Sequence, residues 1–69
     1  MTIVKGEVAA FDEERGLGTV RADDGAESPF HCTAIAGGTR SIAVGTRVVW
    51  AIAAGSGGRW WATCITPVP

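Results

Sequence analysis

Ten glycines and two acidic clusters, Asp12-Glu13-Glu14 and Asp23-Asp24, cut this 69-residue chain into pieces shorter than an ordinary helix. The pieces are rich in β-branched and aromatic residues, which fit a pleated, half-buried surface, so each reads as a strand. Over residues 2–11, Val4, Gly6 and Val8 alternate with Lys5, Glu7 and Ala9, which gives one apolar face. Gly6 inside that run predicts a bend or a close approach by another part of the chain. Residues 17–22 form the second expected strand and residues 28–33 the third, with Asp23-Asp24-Gly25 as a hairpin turn between them. Val48, Trp50 and Ile52 share one face of a fourth strand and Val49, Ala51 and Ala53 the other. A strand apolar on both faces belongs in the middle of a sheet. Residues 59–66 make the fifth, and Pro67 and Pro69 are expected to end its pairing.

Between these strands lie the polar turn Asp12-Glu13-Glu14-Arg15-Gly16, a single turn at Thr33-Ala34-Ile35 followed by Ala36-Gly37-Gly38, a loop carrying Arg40, and the flexible Gly55-Ser56-Gly57-Gly58. Five short strands favour an all-β, five-stranded antiparallel Greek-key barrel over an open sheet, because closure removes two exposed edges. The length suffices for one hydrophobic core, so residues 1–69 read as a single domain. A chain this small buries only about 60% of its unfolded surface, which leaves little interior for a deep cleft. A surface site is therefore expected.

Enzyme chemistry finds nothing to rest on. No serine–histidine–acid set or paired carboxylates stand out, and Asp23 and Asp24 are turn formers. Gly16-Leu17-Gly18 is a strand glycine pattern and not a phosphate loop. His31-Cys32 with Cys64 lacks a fourth soft ligand, and neighbours on a strand point to opposite faces, so no metal or other cofactor is expected. The two cysteines read as reduced thiols in or beside the core. Charges at Lys5 and Glu7 interrupt the start where a signal peptide needs an apolar run, and no stretch is long enough for a membrane span, so a cytoplasmic location is expected.

The order Lys5-Gly6-Glu7-Val8-Ala9-Ala10-Phe11-Asp12-Glu13-Glu14-Arg15-Gly16-Leu17-Gly18-Thr19-Val20 closely resembles the opening of cold-shock domains, KGxVKWFNxxKGFGFI, without a gap. Pro29-Phe30-His31-Cys32-Thr33-Ala34-Ile35 is similar to that family's VFVHFSAI motif, and residues 45–52 to its GxxVxFxI strand. The resemblance spans nearly the whole chain. It implies an OB-fold barrel that binds single-stranded RNA or DNA by stacking bases on an aromatic patch. The framework positions Gly6, Val8, Val20, Ile35, Gly45, Val48 and Ile52 match in type, whereas Ser28 replaces a usual Val. The patch is mostly gone: Ala10, Leu17, Thr19, Pro29 and Cys32 stand where rings are expected, and only His31 is kept. Stacking is worth about 1–3 kcal/mol per base, so losing three rings costs on the order of 3 kcal/mol, about a hundredfold or more in affinity.

Charge adds little to the prospect of nucleic-acid binding. All seven acids lie in residues 1–27, alongside Lys5, Arg15 and Arg21, while residues 28–69 contain only Arg40, Arg47 and Arg59, so halves of about −4 and +3 make up a net charge of −1. The residues proposed for contact with nucleic acid are Lys5, Phe11, Arg15, Leu17, His31, Arg59, Trp60 and Trp61. Lys5, Arg15 and Arg40 would meet phosphates. Phe11 either stacks at the patch edge or packs as a half-buried strand end. Of the adjacent tryptophans one must point away from the core. It serves either as a relocated stacking platform beside Arg59 or as a cover for small residues such as Ala9, Ala10 and Ala51. The leading expectation is a cold-shock-like protein that binds single-stranded nucleic acid weakly and with little sequence preference, as an RNA chaperone or regulator. The alternative is a barrel that has lost this activity and serves as a protein-interaction or self-association module, with the exposed Trp and the alanine-rich surface as its contact patch.

Overall fold

The computed structural model describes residues 3–37 and 41–68. Five strands, β1 (Ile3–Asp12), β2 (Leu17–Ala22), β3 (Glu27–His31), β4 (Arg47–Ala54) and β5 (Trp60–Pro67), form one antiparallel sheet in the order β3-β2-β1-β4-β5. Short 3-10 turns cover Cys32–Ala34 and Ser56–Gly58. The strand limits agree with the sequence reading to within one or two residues, apart from Cys32 and Thr33, which leave β3 for the turn. β5 also runs further than expected. Pro67 pairs with Val48, and the amide of Val68 still donates to the Arg47 carbonyl at 3.0 Å.

The edge strands β3 and β5 curl toward each other. Closure is light: a parallel bridge joins Ile35 to Ile65, and the Ala36 amide donates to the Ile65 carbonyl at 2.7 Å. Val8, Val20, Phe30, Ile35, Val48, Trp50, Ala62 and Ile65 form the core inside the curl, each at most 5% exposed. Full burial of a large apolar side chain contributes about 1.5–3 kcal/mol, so these few residues dominate the stability of so small a chain. β4, apolar on both faces, sits between β1 and β5 as its sequence requires.

Turn chemistry follows the sequence. Gly25 takes φ 95°, and its amide donates to Ala22 while the Asp24 carboxylate accepts from the Ala26 amide at 2.9 Å. At Gly6 a Cβ would run into the Arg21 carbonyl and come within 2.7 Å of the Trp50 ring. The predicted close approach is therefore that of the Arg21 carbonyl on the paired β2 and of the Trp50 ring, the largest core side chain.

Two bulges re-aim side chains in ways that alternation alone does not show. In β1 the register slips between Val8 and Ala10, so Val8 points inward, Ala10 outward, and Phe11 inward again. In β5 the slip lies opposite Trp50, where Cys64 adopts φ 54° and is exposed. Cys64 is thus not a core thiol, because the bulge turns it out while Ile65 and Ala62 stay buried. Cys32 is half-buried and packs on the core.

Candidate nucleic-acid interface

With the β1 bulge in place, the first three strands present two rows of outward side chains. Cross-strand pairing aligns Ala10 with Thr19 and Pro29, and Asp12 with Leu17 and His31. Between them runs the inward row of Phe11, Gly18 and Phe30. Gly18 is needed there, since a Cβ would strike the Phe30 ring and sit 2.8 Å from the Ala10 carbonyl. The space it leaves lets Phe11 stack on Phe30 with centroids 5.9 Å apart and planes 10° from parallel. Phe11 is therefore half-buried core and, at the same time, part of the sheet rim.

The outer rows carry small or non-aromatic side chains apart from His31, and a ring arrives from elsewhere. Ala62 faces the core, so Trp61 beside it on β5 faces out. Curling of the sheet brings β5 next to β3, and the Trp61 indole stacks on the His31 ring at 4.8 Å and 16°. Gly55 packs against the five-membered ring of the indole, where a Cβ would overlap Cδ1 and approach Nε1 to 2.6 Å. On one side of Trp61 is a shallow depression of about 440 Å³ walled by Ala10, Leu17, Thr19, Pro29, Phe11 and Arg59. On the other is a second, of about 320 Å³, bounded by His31, Thr33, Ala53 and Thr63.

Charges around this face are sparse and mixed. Arg59 and Asp12 both line the larger depression. Arg15 does not line it but is bridged to Asp12 at 3.8 Å, with both side chains mostly exposed. Arg21 meets Glu7 at 3.9 Å, and Arg47 forks onto Asp23 at 2.9 and 3.2 Å. That hydrogen bond from Arg47, aided by the charges of Arg47 and Lys5, holds the Asp23 carboxyl below its ordinary value against a smaller opposing effect of desolvation. Lys5 and Arg59 make no ion pair among the described residues.

Of the sequence-derived residues, Phe11, Leu17, Arg59 and Trp61 share one depression, and His31 joins them through its stack. Arg15 connects to it only through its bridge to Asp12. Lys5 and Trp60 line neither depression, and Arg40 falls outside the described residues. Trp60 lies on the same side of β5 as Ala62 but beyond the closed part of the curl, where it remains 64% exposed beside Val4, Trp50 and Ile52. The sequence reading offered both tryptophans and favoured whichever points outward as the platform; in the fold Trp61 lies beside the outward rows of β1–β3 and Trp60 does not. That reading missed Gly55, read only as a flexible turn, because nothing local marks a glycine as the seat of a ring. Among the described residues no group of three His, Cys, Asp or Glu is placed to hold a metal ion, and no helix is long and apolar enough to cross a membrane.

No family profile matches the chain, and no curated protein does. Among solved structures it is similar to one described as "drosophila Unr CSD456", from Drosophila, with a TM-score of 0.80 and 25% identity. That match covers 99% of this chain and 27% of the other, so the chain spans about a quarter of the protein it resembles. Strand order and this likeness give the chain the five-stranded OB-fold of a cold-shock domain, with non-aromatic residues at most positions where the resemblance implies rings.

Proposed function

We propose that the chain binds single-stranded nucleic acid, RNA or DNA, through the outer face of β1–β3 with Trp61 as its main platform. The observation that carries this is the position of the Trp61–His31 stack, which stands over the same outward rows that have given up their rings. A base stacks on an indole whatever its identity, so recognition on one flat platform is tolerant of sequence. Leu17, Thr19 and Pro29 supply apolar wall, Phe11 the edge, and Arg59 a cation for the backbone, with Arg15 bridged to Asp12 nearby. Scarce cations and the nearby Asp12, Glu13 and Glu14 keep the binding weak. This makes the domain a binding unit acting as an RNA chaperone or regulator in the cytoplasm, and not an enzyme.

Titration of tryptophan fluorescence with oligothymidine and with a mixed-sequence RNA at low salt tests the reading. Saturable quenching that fades as salt rises supports it, and quenching must vanish in Trp61→Ala while persisting in Trp60→Ala. Unchanged fluorescence at millimolar nucleotide overturns it.

A further inference from the structure

A second, apolar surface lies apart from the Trp61 face. Trp60 continues the inward side of β5 past the closed core and, with Val4, Ile52 and Trp50, walls a pocket of about 340 Å³. A ring 64% exposed over such a pocket leaves a large apolar area in water. Trp50 adds an independent sign of incompleteness: it is 1% exposed, yet its indole N–H finds no acceptor among the described residues. Asp24 and Glu27 also line this pocket. Neither makes an ion pair among the described residues. Arg21, opposite Glu27 in the ladder, turns to Glu7, and Arg47 is taken by Asp23.

An apolar floor under an exposed indole, with two uncompensated carboxylates at the side, is complementary to one chemistry. Aliphatic stems of Lys or Arg lie against apolar surface while their heads seek an aromatic face and a carboxylate. The same carboxylates repel phosphate, which sets this pocket apart from the Trp61 face. We infer that the Trp60 pocket docks a protein partner through a basic side chain flanked by apolar residues. The domain then holds nucleic acid on one side and a protein segment on the other. This does not depend on the proposed function, because the two surfaces share no residue.

The test follows the indole N–H resonances of Trp50, Trp60 and Trp61 while the intact chain is titrated with capped Leu-Arg-Leu-Arg and with its neutral Leu-Gln-Leu-Gln counterpart. The Trp60 signal is expected to move saturably with the basic peptide while Trp61 stays still. Asp24→Asn with Glu27→Gln should weaken binding roughly tenfold, the sum of two surface charge contacts. Asn keeps the oxygen that accepts from Ala26, so the turn survives and the double variant reports charge alone. An unmoved Trp60 signal, equal shifts with the neutral peptide, or an unchanged double variant overturns the inference. Movement of Trp60 with oligothymidine in place of the peptide, or with protein concentration alone, also overturns it, since the occupant would then be nucleic acid or a second copy.

Discussion

Replacing Gly55 by Ala moves the proposed platform without deleting any ring. Gly55 has φ −129° and ψ −165°, extended backbone open to any residue, so the substitution acts through space alone. Its Cβ would overlap Trp61 Cδ1 and stand 2.6 Å from Nε1 and 2.8 Å from Cγ, against about 3.4 Å for ordinary contact, so the indole has to withdraw by more than about 1 Å or rotate. Either movement breaks the 4.8 Å stack with His31. An aromatic pair contributes about 0.5–1.5 kcal/mol beyond its buried area. For a chain of this size that lowers Tm by about 4–8 °C per kcal/mol. The displaced platform forfeits at least one stacked base, about 1–3 kcal/mol, so affinity for oligothymidine falls roughly fivefold to a hundredfold. Calorimetry, fluorescence titration and the His31 ring resonances read the three effects separately. A Gly55→Ala protein that keeps wild-type affinity while its Trp61–His31 ring-current shifts disappear refutes the assignment of Trp61 as platform. One that keeps those shifts refutes the packing of the indole on Gly55.

Arg59 is the cation in the larger depression, so the salt dependence of binding should be shallow, with a slope of log K against log salt of about −0.7 to −1.4, and Arg59→Gln should remove about 0.7 of it by titration at several salt concentrations. Trp50 buries an indole N–H that has no acceptor among the described residues, at a cost of about 1–3 kcal/mol, so Trp50→Phe should hold stability within about 1 kcal/mol of wild type in urea unfolding despite the smaller ring. The Asp23 carboxyl is held below its ordinary 3.8 by Arg47, so its ionised form stabilises the fold above that value and the contribution is lost as pH falls beneath it. Asp23→Asn should therefore flatten the decline in urea midpoint below about pH 4, and an unaltered acid limb would show that the ion pair does not couple to folding.

Much of the framework could be read directly from residue order. Alternation in β1, the Asp-Asp-Gly hairpin and the doubly apolar β4 each follow from rules that act within a few residues, and of the bend or close approach that Gly6 allowed the structure shows the close approach. The site was legible only in part. Whether Phe11 points in or out depends on a bulge at Ala9, and the exposure of Cys64 depends on another opposite Trp50. Both are set by how strands register over long range, which no short window encodes. The tryptophan pair shows the same limit. Period two says that Trp60 and Trp61 diverge, but only the curl of β5 against β3 determines that Trp61 meets His31 and that Trp60 is left at the barrel end.

A single ring carried on β5 also bounds what the proposed face can do. A patch spread over several strands can stack successive bases, whereas a single indole backed by an imidazole offers a surface for one or two. Two bases at about 2 kcal/mol each, with one phosphate contact adding about 1 kcal/mol, amount to roughly 5 kcal/mol, which corresponds to a dissociation constant of a few tenths of a millimolar. Binding at that level matters only where nucleic acid is concentrated or where a second contact tethers the domain to it. A basic partner seated at Trp60 is one means of supplying that tether, since linking two weak contacts raises their joint strength by a factor set by effective concentration. An affinity for a short oligonucleotide tighter than about 10 μM would require bases to touch more than this one platform, and would place the interface beyond the Trp61 face.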